Sequence, residues 1–163
     1  MSLISEPIDW LGINYYTRGI VADDPGEPWP SLKDIEGSMD KTQMGWEIYP
    51  EGLKNLLIRV SKNYTDNLPI LVTENGMACA DIMENQTVYD PSRINYISSH
   101  LTAASAAIKE GVNLQGFFYW SLLDNFEWAF GYEKRFGLVH VDFETQKRTP
   151  KASFKELALS LNS

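Results

Sequence analysis

The chain has 163 residues, of which 44% are hydrophobic and 22% are charged, and these proportions are typical of a globular protein with one core. Its formal net charge of −8 disfavours attraction to phosphate backbones and anionic membranes, so we expect no nucleic-acid or membrane partner. The single cysteine, Cys79, cannot form an intrachain disulfide, and the N-terminus lacks a signal-like pattern, so we expect a cytoplasmic protein.

The first part of the chain predicts one strand, one long loop and one helix. Residues 10–16 form an apolar and aromatic run of strand length that ends in polar groups. Residues 17–49 are rich in proline and glycine, so we expect no regular structure there. Pro50 suits a first helical position, and apolar residues at helical spacing follow it, which predicts a helix from Pro50 to about Asn63.

The middle of the chain repeats this order. Residues 69–73 are apolar without alternation, as expected for a strand that is buried on both faces of a parallel sheet, and Glu74 follows this strand directly. Asp90 and Pro91 are typical of a helix N-cap and a first helical turn. They predict a second helix that ends near Gly111.

A third strand and a final helix complete the pattern. Residues 114–120 predict the strand, and Thr149 and Pro150 predict the start of the helix. Strands that alternate with helices indicate parallel strands joined by right-handed crossovers, which leaves a doubly wound sheet or part of a (β/α)8 barrel. In both architectures functional side chains gather at the carboxyl ends of the strands. The polar residues at these ends are Asn14, Tyr16, Glu74, Asn75 and those after Trp120.

The sequence predicts neither a cofactor nor a metal site. Asn14-Tyr15-Tyr16-Thr17 occupies the place where a glycine-rich phosphate loop would follow the first strand. His100 stands among apolar residues on a predicted helix, and His140 lies far along the chain, so their spacing does not suggest metal ligation.

Several motifs resemble glycoside hydrolase family 1. Thr73-Glu74-Asn75-Gly76 resembles the nucleophile motif of that family, although a lone glutamate after a strand is commonly just its first solvated residue. The run from Trp120 to Trp128, continued by Lys134-Arg135-Phe136-Gly137-Leu138, resembles the last strand and loop of the family. Further segments that match in order are Asn14-Tyr15-Tyr16, Gly45-Trp46-Glu47, Pro50-Glu51-Gly52-Leu53, Asp90 with Arg93, His100-Leu101 and Arg148-Thr149-Pro150-Lys151.

The resemblance covers nearly the whole chain and implies an α/β fold, namely the C-terminal three β/α units of a (β/α)8 TIM barrel. Residues 1–163 would then form one partial barrel domain that contains strands six to eight. A complete barrel typically needs about 250 residues, so we expect the chain to be a fragment whose outer strands have unpaired edges. The implied partner is the missing N-terminal portion of the barrel, with self-association as the alternative.

The same resemblance implies a retaining β-glycosidase that acts on terminal, non-phosphorylated β-D-glycosides. It identifies Glu74 as the nucleophile and Tyr16 as the phenol that orients the Glu74 carboxylate. For Tyr16 and the aromatic residues, packing within the protein is the alternative reading. The implied substrate-binding residues are Asn14, Trp46 on the aglycone side, Trp120 as a stacking surface, and Glu127 and Trp128 as ligands of sugar hydroxyls.

One catalytic group of the family is missing from this sequence. The acid/base glutamate belongs to an Asn-Glu-Pro motif, and no such motif occurs in the chain. We therefore expect the chain to be inactive unless it is paired with the missing part of the barrel. A sugar-binding module without turnover and a purely structural barrel fragment remain as alternatives.

Overall fold

The computed structural model describes residues 6–162, so both ends of the predicted unit 1–163 lie outside the described residues. Its strands and helices form three successive β/α units, and each unit has a short antiparallel hairpin between its main strand and its helix. The elements are β1 (Leu11–Asn14), β2 (Val21–Asp23), β3 (Leu32–Asp34), α1 (Pro50–Asn63), β4 (Ile70–Asn75), β5 (Met83–Glu84), β6 (Thr87–Val88), α2 (Pro91–Lys109), β7 (Leu114–Tyr119), β8 (Val139–Val141), β9 (Arg148–Pro150) and α3 (Ala152–Ser160).

The main sheet contains β1, β4 and β7 in that order, and both pairs of neighbours are parallel. One face of this sheet is covered by α1 and α2. Its central strand sends Ile70 and Val72 into the core, where both side chains are fully buried against Leu53 and Leu57 of α1. The continuous apolar sequence of β4 is typical of a parallel strand that is buried on both faces, as this strand would be in a closed barrel.

The opposite face of the sheet lacks such a cover among residues 6–162. It carries Trp10, which is 51% exposed, and Phe118, which is 57% exposed. Gly116 lies on the same face, where a Cβ atom would be 2.8 Å from the Leu71 side chain. In a closed barrel this face would line the interior, so the arrangement matches three adjacent strands of a (β/α)8 barrel.

The predicted strands and helices are largely confirmed, with five corrections. The second strand, β4, runs from Ile70 to Asn75, so Glu74 lies within it rather than directly after it. The first strand ends at Asn14 rather than at residue 16, and the third ends at Tyr119. Residues 17–49 are not wholly irregular, because β2 and β3 pair there as a short antiparallel hairpin. The final helix begins at Ala152, because Thr149 and Pro150 pair with β8 as part of a second hairpin.

Asp90 occupies the N-cap position of α2, but its side chain does not cap that helix. The Asp90 carboxylate instead accepts hydrogen bonds from the Ser153 backbone N–H at 2.9 Å and from the Ser153 hydroxyl at 2.6 Å. Ser153 is the second residue of α3, so Asp90 satisfies a free N–H in the first turn of a different helix. The residue therefore joins the second β/α unit to the third.

A buried histidine in α2 gives a prediction for the pH dependence of stability. Burial among Tyr15 and Tyr96 lowers the pKa of His100 to about 4, against about 6.5 for an unfolded chain. Between these values the unfolded chain binds a proton that the folded chain excludes, so stability is expected to fall with decreasing pH. The loss should approach about 1.4 kcal/mol per pH unit.

Urea unfolding of the chain and of His100→Gln between pH 7 and pH 4 measures this effect. As the pH falls, the unfolding free energy of the chain with His100 should decrease relative to that of His100→Gln. A difference that is constant with pH would show that His100 titrates normally in the folded chain.

Among residues 6–162, no helix has the length and the apolar character needed to cross a membrane.

Candidate active site

The carboxyl ends of β1 and β4 bring Tyr16 and Glu74 together. The Tyr16 hydroxyl donates a hydrogen bond of 2.8 Å to Glu74 Oε2, as the sequence resemblance implied. Burial, followed by the hydrogen bond to Glu74, raises the pKa of Tyr16, so the phenol keeps its proton and remains a donor at neutral pH. The pair thus consists of an oriented carboxylate beside a permanent hydrogen-bond donor.

A β-bulge in β4 determines where the Glu74 side chain lies. Val72 pairs with Ile13 of β1, but the next residue of β1, Asn14, pairs with Glu74, so Thr73 is an additional residue in β4. In a regular strand Val72 and Glu74 would share a face, and Val72 is buried against the helices. The bulge removes Glu74 from that apolar face, as bulges near functional sites commonly do.

Glu127 extends the site from the loop that follows β7. Burial, followed by the negative charge of Glu74, raises the pKa of Glu127. The charge of Glu127 also contributes to the raised pKa of Tyr16, so these three residues lie in one electrostatic environment. Two half-buried carboxylates close to one phenol can accept hydrogen bonds from several hydroxyl groups of one ligand.

The neighbouring tryptophans differ in their environments. Trp120 follows β7, and its backbone N–H donates to the Asn75 carbonyl at 2.8 Å, so its position is linked to the strand that carries Glu74. Trp128 is 82% exposed at the start of a 3-10 turn formed by Trp128–Phe130. Trp120 is therefore held beside the predicted nucleophile, whereas the side chain of Trp128 has a largely open surface.

Gly76 allows the close approach of Trp120. A Cβ atom at position 76 would lie 1.9 Å from the Trp120 carbonyl oxygen, which belongs to the backbone and cannot move aside easily. Gly76→Ala is therefore expected to lower the unfolding free energy by about 1–3 kcal/mol or more. Urea unfolding measures the loss. Gly19→Ala is the matched control, because a Cβ there has no neighbour within 4 Å, and an equal loss in both variants would contradict the steric explanation.

The two remaining predicted ligands make contacts inside the protein. Asn14 Oδ1 accepts a hydrogen bond of 2.7 Å from the Thr73 hydroxyl, one residue before Glu74. Trp46 is half-buried and packs edge-on against Tyr16, with a ring-centroid distance of 5.5 Å. The structure therefore places Asn14 and Trp46 beside the Tyr16 and Glu74 pair.

Glu47 anchors the loop that carries Trp46. Its carboxylate accepts hydrogen bonds from Arg18 Nε at 2.7 Å and from the Met39 backbone N–H at 2.9 Å. The first of these contacts, with Arg18, lowers the pKa of Glu47. These contacts tie the start, middle and end of the segment between β1 and α1 together. The sequence motif contained Glu47, but no local pattern indicated this role.

The loop that carries Glu127 is organised by Asp124. One oxygen of its carboxylate accepts from the Gly137 backbone N–H at 3.0 Å. The other accepts from Arg135 Nη1 at 2.6 Å and from the Val141 backbone N–H at 3.3 Å. Asp124 thereby fixes both the outgoing and the returning segment around Glu127.

Asp124 belongs to a larger group of charged residues that we call the buried ion cluster. Arg93 binds both oxygens of Asp81 at 2.9 Å and also contacts Asp90, and Lys151 contacts Asp81 and lies 2.8 Å from Asp124. Three negative and three positive side chains balance one another, as burial of charge requires. The members are Asp81, Asp90, Asp124, Arg93, Arg135 and Lys151.

The fold of the chain is similar to part of several solved enzyme structures. The chain superimposes on the family 1 β-glucosidase from Exiguobacterium antarcticum B7 with a TM-score of 0.95 and 45% identity, covering 99% of this chain and 36% of that one. The family 1 β-glucosidase from Thermotoga maritima gives a TM-score of 0.93 at 44% identity, again over 99% of this chain and 36% of that one. The fold is therefore a part of a TIM barrel.

Sequence relatives give the same result. β-Glucosidase A of Thermotoga maritima is 50% identical over 155 residues, which are 94% of this chain and 34% of the relative. A bifunctional β-D-glucosidase/β-D-fucosidase of Bifidobacterium breve is 46% identical and covers 94% of this chain and 37% of its own length. A 6-phospho-β-galactosidase of Leptotrichia buccalis is 45% identical, and the match covers 89% of this chain and 35% of the relative.

The chain spans about a third of the length of these relatives. The family model described as glycosyl hydrolase family 1 matches residues 1–159. The predicted family is confirmed, and this chain belongs to glycosyl hydrolase family 1.

Proposed function

We propose that the chain supplies the nucleophile and part of the sugar site of a retaining β-glycosidase. The observation that carries this proposal is the 2.8 Å hydrogen bond between Tyr16 and Glu74 at the carboxyl ends of two parallel strands. In the proposed reaction Glu74 attacks the anomeric carbon, the bond to the leaving oxygen breaks, and a glycosyl ester forms on Glu74. Water then attacks the ester and releases the sugar with its original configuration.

The proposed acid/base group comes from outside this chain. The described residues fill three units of a barrel, the sequence holds no Asn-Glu-Pro motif, and relatives are about three times as long. The proposed partner is the N-terminal portion of the barrel, which would pair with the outer edges of β1 and β7 and cover Trp10 and Phe118. Its acid would protonate the leaving oxygen and later activate water. A single barrel unit over residues 1–163 and a cytoplasmic location remain predictions from sequence.

Covalent trapping tests this proposal. A 2-fluoro glucoside with a dinitrophenyl leaving group needs little acid assistance, so it reports on Glu74 itself. The chain is assayed alone and in a mixture with a segment of Thermotoga maritima β-glucosidase A. This segment is the N-terminal part of that enzyme, which has no counterpart in the chain. We expect mass addition at the peptide that contains Glu74 only in the assembled barrel. Glucose binding without any adduct would favour the sugar-binding module. The absence of both an adduct and glucose binding would favour a purely structural fragment.

We further propose that Glu127 ligates hydroxyls of the terminal sugar, with Trp128 and Trp120 beside it, and so favours non-phosphorylated substrates. A phosphate at this sugar would meet a carboxylate in a half-buried site, where repulsion is poorly screened. Relatives of both kinds, named β-glucosidase and 6-phospho-β-galactosidase, match the chain, so their names do not decide the matter.

Glu127→Ser tests this specificity in the assembled barrel. The ratio of kcat/KM for a 6-phospho-β-glucoside to kcat/KM for the plain glucoside should rise at least about tenfold, because the variant loses both a hydroxyl acceptor and a repulsive charge. Glu133→Ser removes an exposed carboxylate from the same loop and should leave the ratio unchanged. An unchanged ratio in Glu127→Ser would contradict the assignment.

A further inference from the structure

We infer that Asn75 and Tyr96 are positioning residues that fix the position of Tyr16 relative to Glu74 for the reaction. This inference rests on the proposed function. Both side chains are buried, so neither presents a surface to a substrate. Their hydrogen bonds connect the carboxyl ends of β1 and β4 with α2 at the point where the β-ladder is irregular.

Asn75 provides the link between the two strand ends. Its side-chain Nδ2 donates to the Tyr15 carbonyl at 2.8 Å, and the Tyr15 backbone N–H donates to the Glu74 carbonyl at 2.9 Å. The two bonds connect the dipeptide Glu74-Asn75 to the dipeptide Tyr15-Tyr16. They continue the connection between the strands beyond Asn14, where β1 ends.

Tyr96 fixes this link to the helix behind it. Its hydroxyl accepts from Asn75 Nδ2 at 3.0 Å and donates to the Tyr16 carbonyl at 3.3 Å. Burial raises the pKa of Tyr96, so the hydroxyl retains the proton that it donates. The Tyr96 ring is itself held by stacking on His100, with a ring-centroid distance of 3.9 Å.

Asn75 retains an unfavourable feature that a residue with only a packing role would not need. Its Oδ1 atom is buried and has no hydrogen-bond partner among residues 6–162. An unpartnered buried acceptor has lost its hydration without gaining a hydrogen bond, and an apolar residue would avoid that cost. An apolar residue would also lose the bonds to Tyr15 and Tyr96, so the amide is explained by what its Nδ2 group holds in place.

The position of Tyr16 matters because its bond to Glu74 is short and directional. A displacement of about 1 Å at a reacting group can cost about a hundredfold in rate. Tyr96→Phe removes only the hydroxyl and keeps the stacked ring. It would leave the Tyr16 carbonyl without its donor and Asn75 with a single acceptor.

Amide hydrogen exchange of the isolated chain tests the positioning directly. In Tyr96→Phe the Tyr15 amide should exchange at least about tenfold faster, while the Leu11 amide, which donates to the Pro69 carbonyl at the other end of the strand pair, should be unchanged. Ser61→Ala removes another buried hydroxyl, 3.0 Å from Asn67 Oδ1, and should leave the Tyr15 amide unaffected. Unchanged Tyr15 exchange, or equal acceleration of Tyr15 and Leu11, would overturn the inference.

Trapping kinetics in the assembled barrel test the consequence for the reaction. In Tyr96→Phe the maximal rate of Glu74 labelling by the 2-fluoro glucoside should fall about 10- to 100-fold, while the inhibitor concentration for half-maximal labelling changes less than about twofold. Ser61→Ala should match the wild type in both quantities. A normal labelling rate in Tyr96→Phe would overturn the inference. If the wild type itself is not labelled, the proposed function fails, and the exchange data still decide the positioning.

Discussion

Glu74→Gln is expected to reduce hydrolysis of an aryl β-glucoside by the assembled barrel at least about a thousandfold, the scale on which loss of a catalytic nucleophile acts. Glutamine has the size of glutamate and its amide oxygen can still accept the hydrogen bond from Tyr16. It carries no negative charge and cannot form the glycosyl ester. Release of nitrophenol measures the loss, which should appear in kcat.

The control for this prediction is Glu84→Gln, which makes the same change at an exposed glutamate in β5 and should leave kcat unchanged. A Glu74→Ala variant adds a positive readout. Azide can occupy the space of the missing carboxylate and attack the anomeric carbon from the same side, which would give an α-glycosyl azide from a β-glucoside. More than about a tenth of wild-type activity in Glu74→Gln would rule out Glu74 as the nucleophile.

The helices were predictable because their signals are local. Pro50 followed by apolar residues at helical spacing gave α1 with the bounds observed in the structure. The hairpin of β2 and β3 had no such signal, because its side chains are mostly exposed and backbone hydrogen bonds alone define it. Pro150 indicated a helix start, but pairing with Val139 placed it in a strand. Tertiary contacts thus overrode a correct local preference.

The site was predictable to a similar degree. Glu74, Tyr16 and Glu127 lie in recognisable motifs, and the structure brings them together. The β-bulge at Thr73 was not predictable, because it depends on the register of two neighbouring strands. The roles of Asn75 and Tyr96 were also missed, because a buried asparagine and a helical tyrosine 21 positions apart carry no pattern that joins them.

The buried ion cluster was only partly predicted, and it leads to the second large effect. Asp90 with Arg93 was one of the segments that match the family, and the structure shows that these two residues form an ion pair. Lys151 appeared only as a member of a matched motif. Its side chain is fully buried, and its ammonium group contacts Asp81 and Asp124. It also precedes α3 directly, where the helix dipole disfavours a cation, so the two carboxylates must stabilise it.

Lys151→Met is therefore expected to lower the free energy of unfolding by about 3–5 kcal/mol, because it leaves excess negative charge in the interior. Methionine retains most of the apolar volume, so lost packing contributes little. Urea unfolding of the isolated chain measures the effect. Lys54→Met is the matched control, since Lys54 lies 3.9 Å from Glu51 at the surface and should contribute less than about 0.5 kcal/mol.

The pH dependence of this deficit separates charge from packing. Burial alone would raise the pKa of Asp124, but Lys151 and Arg135 outweigh burial and hold the pKa below its ordinary value. Stability gained in this way is present above the unfolded pKa of about 3.9 and is lost as the pH falls through the folded value. The deficit of Lys151→Met should therefore be largest near pH 7 and shrink towards pH 4 and below, as the uncompensated carboxyl group takes up a proton. A deficit that does not change with pH would mean that Lys151 stabilises the chain by packing alone.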